Sequence, residues 1–95
     1  MALIPMEKSE KQTFYLDINN ASMSAWGGAY QYGASVPVTI NPTGKRIEAV
    51  FNPSDAFGAG VGGIDGNHSN RVDVTLFRGT QHNLTGRVYV TIYDD

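Results

Sequence analysis

Arg71-Val72-Asp73-Val74-Thr75-Leu76-Phe77 and Arg87-Val88-Tyr89-Val90-Thr91-Ile92-Tyr93 both alternate with a period of two. In each, one face is aliphatic (Val72, Val74, Leu76; Val88, Val90, Ile92) and the other mixes aromatic, charged and hydroxyl side chains. Successive side chains of a strand point to opposite faces, so each segment reads as a β-strand with one side in a core. A polar connection containing Gly79, His82, Asn83 and Gly86 separates them, and the pair is expected to form an antiparallel hairpin. On that expectation Arg71, Phe77, Arg87, Tyr89 and Tyr93 share one surface. Aromatic residues interleaved with arginine suit a buried contact between subunits, whereas a wet sheet face carries more Lys, Glu and Ser; cross-strand aromatic pairing on a solvated face is the competing reading.

Working outward, Gln12 to Asn19 gives a further strand with Phe14, Leu16 and Ile18 inward, ended by a turn at Asn19-Asn20. Trp26-Gly27-Gly28-Ala29 fits a short hairpin, because glycines supply the positive φ angles of a two-residue turn; a long irregular loop is the competing reading. Val36, Val38 and Ile40 share a face, with Pro37 pointing to an edge position or an early strand position. Asn41-Pro42-Thr43-Gly44 reads as a type I turn, and Arg46 to Phe51 as the partner of a second hairpin. Ser54 to Asn70 is glycine- and Asx-rich; a brief strand within Phe57–Ile64 is expected, with Phe57, Val61 and Ile64 as anchors. No window repeats apolar residues at helical spacing. The fold class is therefore all-β, a small antiparallel β-sandwich of jelly-roll or Greek-key type with about six or seven strands. Residues 1–11 read as a flexible arm, and 12–95 as one domain.

Composition narrows the function. With 95 residues, the chain holds one domain and buries only about two thirds of its unfolded surface, so self-association as a dimer or trimer is expected. The net charge of -2, with seven scattered basic residues, disfavours nucleic acid and anionic membranes. The absence of cysteine removes disulfides, thiolate nucleophiles and cysteine-based metal sites. Residues 1–7 lack a basic region and an apolar run, so no classical signal peptide is expected; the chain reads as cytoplasmic by synthesis, or assembled on a virion or surface. No nucleophile elbow, phosphate loop or paired-carboxylate setting is present, and the expectation is a non-enzymatic protein.

Recognition chemistry remains. Trp26, Tyr30 and Tyr32 cluster among glycines and small polar residues, as on surfaces that stack on sugar rings, although Trp26 also suits a core edge. Asp65, Asn67, His68, Ser69 and Asn70 supply polar groups at close spacing, and Asp55 or Asp73 could join them after folding. Calcium is conceivable there, but an Asx-rich turn satisfying its own backbone is the favoured reading, and no metal site is assigned. His68 and His82 are the only candidates for a shared zinc site. The sequence thus points to an adhesive module. It displays Trp26, Tyr30, Tyr32, Asp65, Asn67, His68 and Asn70 at one end for a carbohydrate or surface receptor, with multivalency raising weak affinity. A structural or virion- or tail-associated assembly protein is the alternative. Architecturally such a chain is similar to receptor-binding heads of phage tails, a likeness of fold alone.

Overall fold

The computed structural model describes residues 10–94. Seven strands follow in order: β1 (Glu10–Ala21), β2 (Ser24–Trp26), β3 (Ala29–Pro37), β4 (Arg46–Pro53), β5 (Gly60–Asp65), β6 (Arg71–Arg78) and β7 (Leu84–Asp94). All pairings are antiparallel and divide the strands into a three-stranded sheet, β1-β7-β4, and a four-stranded sheet, β2-β3-β6-β5. This is a small β-sandwich. β1 pairs with β7 and β3 with β6, the nested order of a jelly roll. Glu10 and Lys11 already belong to β1; the rest of the expected 1–11 arm lies outside the described residues.

The alternation of the two deciding strands holds, but their pairing does not. Val72, Val74, Leu76, Val88, Val90 and Ile92 are all fully buried. Yet β6 lies in the four-stranded sheet and β7 in the three-stranded one. They meet face to face across the core, and no hairpin joins them. The reason is visible in the connection. Leu84 is fully buried and opens β7, three residues before the alternating run at Arg87. That inward anchor carries the chain over to the other sheet, where β7 becomes the central strand between β1 and β4. The expected hairpin of residues 36–51 fails likewise: β3 and β4 belong to different sheets, joined across the end of the sandwich by residues 38–45.

Other expectations fare differently. The Trp26–Ala29 hairpin forms, with Gly27 at φ 55° and Gly28 at φ 86°, angles that glycine tolerates without steric cost. Pro37 sits where β3 has outrun β2 and leaves one edge free, so its missing N–H costs no ladder bond. The 41–44 turn is displaced by one residue, with Lys45 N–H donating to the Pro42 carbonyl at 3.0 Å while Asn41 caps the Thr43 N–H. The expected turn at Asn19-Asn20 is a bulge within β1, Asn20 taking φ 56°. A strand does interrupt the 54–70 stretch, but two of its supposed anchors are exposed: Phe57 by 48% and Ile64 by 41%. Val61 alone packs against the core.

Candidate functional site

At one end of the sandwich, the β5–β6 connection gathers a charged cluster on the outer face of the four-stranded sheet. Asp65 ends β5 and is register-paired with Asp73 on β6. The Asp65 side chain also accepts the Asn67 N–H at 3.0 Å, the expected Asx turn, which folds the connection back. That brings His68 Nε2 to 3.4 Å from Asp65 Oδ2 and 3.3 Å from Asp73 Oδ2. Arg71 Nε lies 3.2 Å from Asp73 Oδ1, and its Nη2 stands 3.4 Å from His68 Nε2. Ser35, opposite Asp73 on β3, donates its hydroxyl to Asp73 Oδ1 at 2.8 Å. The Ser35 hydrogen bond, helped by the positive charge of Arg71, holds the Asp73 carboxyl below its ordinary pKa against the opposing effect of partial burial. Beside the cluster lies an open depression of about 510 Å³, lined by Pro42, Lys45, Ile47, Ile64, Gly66 and Asn67.

The other end of the same face is aromatic. Trp26 is 60% exposed and tilts against Phe77, with ring centroids 5.6 Å apart. Phe77 lies over Gly62, where an added Cβ would run into its ring. The bulge at Val61–Gly63 and the missing side chains of Gly60 and Gly33 leave the surround low, so the indole stands over a shallow platform beside Gln31. Tyr30 and Tyr32 are not part of it. They follow the parity of Ala34 and Val36, both fully buried, and Tyr32 packs against the core.

Beneath that end is a buried ion pair that the sequence reading overlooked. Arg78 is 3% exposed and takes the inward parity of Val72, Val74 and Leu76. Its Nη2 donates to Asp55 Oδ1 at 2.7 Å, Nε to the Gly58 carbonyl, and Nη1 to the His82 and Asn83 carbonyls. Asp55 also accepts the N–H groups of Phe57 and Thr85. Burial pushes the Asp55 carboxyl up, but the hydrogen bonds from Arg78 and the two N–H groups outweigh it and leave the pKa lowered. Arg78 thus ties the 54–59 and 79–83 loops together. Phe57 stacks on His82 at 3.6 Å above it. A basic residue at inward parity at a strand's end was the available signal, because a buried guanidinium requires a carboxylate and carbonyls nearby.

The outer face of the three-stranded sheet carries the remaining aromatics. Tyr15 and Tyr89 meet at 6.3 Å; Arg87 lies 4.1 Å over the Tyr15 ring and grips Asp17 through two nitrogens. That contact lowers the Asp17 pKa and raises that of Arg87. Further along, Arg46 covers Tyr93 at 3.8 Å, and the Tyr93 hydroxyl donates to Glu48 at 3.0 Å, which raises its pKa. Val50 is 56% exposed beside Tyr89.

The expected site residues therefore fall in four places. Asp65, Asn67 and His68 lie in or beside the charged cluster; Asn70 is next to it, exposed, with its carbonyl accepting the Val38 N–H. Trp26 is about 20 Å away, six strand residues along the sheet. Tyr30 and Tyr32 are turned to the interior. The expected contact set is split: Arg71 and Phe77 lie on one outer face of the sandwich, and Arg87, Tyr89 and Tyr93 on the opposite one. His68 folds back onto Asp73 and His82 lies against Arg78 at the other end of β6, about 17 Å along the strand, so the two cannot share a metal.

Geometry and topology together define a β-sandwich domain of seven antiparallel strands in two sheets. Compared with known proteins, the chain matches no family model, no curated protein and no solved structure.

Proposed function

We propose that the protein is a non-enzymatic recognition module that binds carbohydrate on the Trp26 platform. The observation that supports this reading is the 60% exposure of Trp26 on a sheet face kept low by glycine. Covering an exposed indole with an apolar surface removes it from water and is favourable, and the apolar face of a sugar ring offers a matching flat area. Gln31 beside the platform and Thr75 further along the face supply donors and acceptors for sugar hydroxyls. Single-site affinity on so open a surface is weak, and multiple copies would raise it.

Glycan-array binding combined with solution mass tests the reading. The expected result is binding by an oligomer, lost in Trp26→Ala and retained in Tyr30→Phe. An oligomer that binds no glycan, or binding that survives Trp26→Ala, removes the carbohydrate reading. The structural alternative then gains weight, supported by the second aromatic surface. Tyr15 and Val50, both more than half exposed, give the three-stranded sheet a face suited to subunit contact in an assembly or virion component.

A further inference from the structure

We infer that Asp65, His68 and Asp73 form a binding site for a zinc-class divalent cation, independent of any carbohydrate binding. Their three ligand atoms all lie within 4.8 Å of one another. Two of the separations are 3.4 Å, from His68 Nε2 to Asp65 Oδ2, and 3.3 Å, from the same nitrogen to Asp73 Oδ2. Charge-assisted hydrogen bonds run shorter, at about 2.7–2.9 Å. A tetrahedral ion with ligand bonds of about 2.0–2.1 Å sets its donors about 3.3–3.4 Å apart, the edge of the coordination tetrahedron. Both His68–carboxylate separations match that edge.

Arg71 stands at the edge of the cluster, its Nη2 3.4 Å from His68 Nε2. Its side chain is 46% exposed and has open solvent into which to turn when a cation takes the space between the three ligands. One imidazole nitrogen with two carboxylate oxygens suits zinc and its neighbours, whereas calcium takes oxygen ligands throughout. Three protein ligands leave the fourth position to water. The second shell is in place: Ser35 fixes Asp73, and the Asn67 N–H fixes Asp65 through its other oxygen. Arg71 competes for the site and keeps affinity modest.

Calorimetric titration of the tag-free chain with Zn2+, paired with visible absorption on Co2+ loading, tests the site. The expected result is one ion per chain, intense tetrahedral Co2+ bands, and at least about tenfold weaker binding in His68→Ala and Asp65→Asn. Arg71→Gln is expected to bind more tightly than the unaltered protein, and His82→Ala to bind equally. No saturable binding in either the unaltered protein or Arg71→Gln overturns the inference. So does binding that persists in a folded His68→Ala or His68→Gln, disappears in His82→Ala, or gives only weak octahedral Co2+ absorption.

Discussion

Arg78 and Asp55 show how much one pair of side chains can organise. A guanidinium 3% exposed, with three of its nitrogens bonded, leaves no room for partial replacement. Asp55→Ala strands that charge, and a cost of about 3 kcal/mol is expected in urea unfolding. The same carboxyl sets an acid limb. Its folded pKa lies below the ordinary value of 3.8, so its stabilisation is fully present above that value and fades as pH falls through the lower, folded one. The urea midpoint of the native protein should therefore decline below about pH 4, and Asp55→Asn should flatten this part of the curve. Gly86 is a second critical residue. A Cβ there would meet the Asn52 carbonyl and lie 2.8 Å from Pro53 Cα, backbone atoms that cannot swing aside. Gly86→Ala is expected to cost about 2 kcal/mol by thermal or urea unfolding. At Gly62 the obstacle is the Phe77 ring, which can rotate, so the matching substitution there should cost less.

At the level of strands, alternation told which face each residue takes and left open which strand lies beside it. Val72, Val74 and Leu76 would bury equally well beside Val88, Val90 and Ile92 in one sheet or opposite them in two. Both arrangements produce the same period of two. Only the buried Leu84, outside the alternating run, distinguishes them. That ambiguity also explains the site. Phe77 and Tyr89 could be placed on a common surface only if their strands were neighbours, and the crossing between sheets put them on opposite sides of the molecule. Tyr30 and Tyr32 turn inward because β3 runs unbroken from Ala29 to Pro37 and carries the parity of Ala34 and Val36 back to them, a continuity that a separate hairpin around Gly27-Gly28 does not imply. Asp65, Asn67 and His68 were legible because they are close in the chain and a single Asx turn gathers them. Ser35 and Arg78 were not, since each acts on a carboxylate more than twenty positions away. The Gly27-Gly28 turn offers an element-scale test. Gly28→Val places a branched side chain at φ 86°, so β2 should detach and Trp26 fluorescence should shift to the red as the indole leaves Phe77.

Across the whole molecule, two open faces carry exposed aromatics on opposite sides, an arrangement that allows ligand binding and self-association to be separated experimentally. If subunits meet through the three-stranded sheet, Val50→Lys and Tyr15→Ser together should lower the solution mass to that of a single chain while leaving the Trp26 platform unaffected. Unchanged mass in a folded double variant would direct attention to the sheet edges.

The strand at the heart of the three-stranded sheet is also the last of the seven to leave the ribosome. Until residues 84–94 emerge, β1 and β4 have no ladder partner, and a nascent chain holding the other six strands exposes two unzipped ribbons. Such a protein should close late and slowly, needing either a brief escort or rapid translation through β7 to avoid pairing with its neighbours on the polysome.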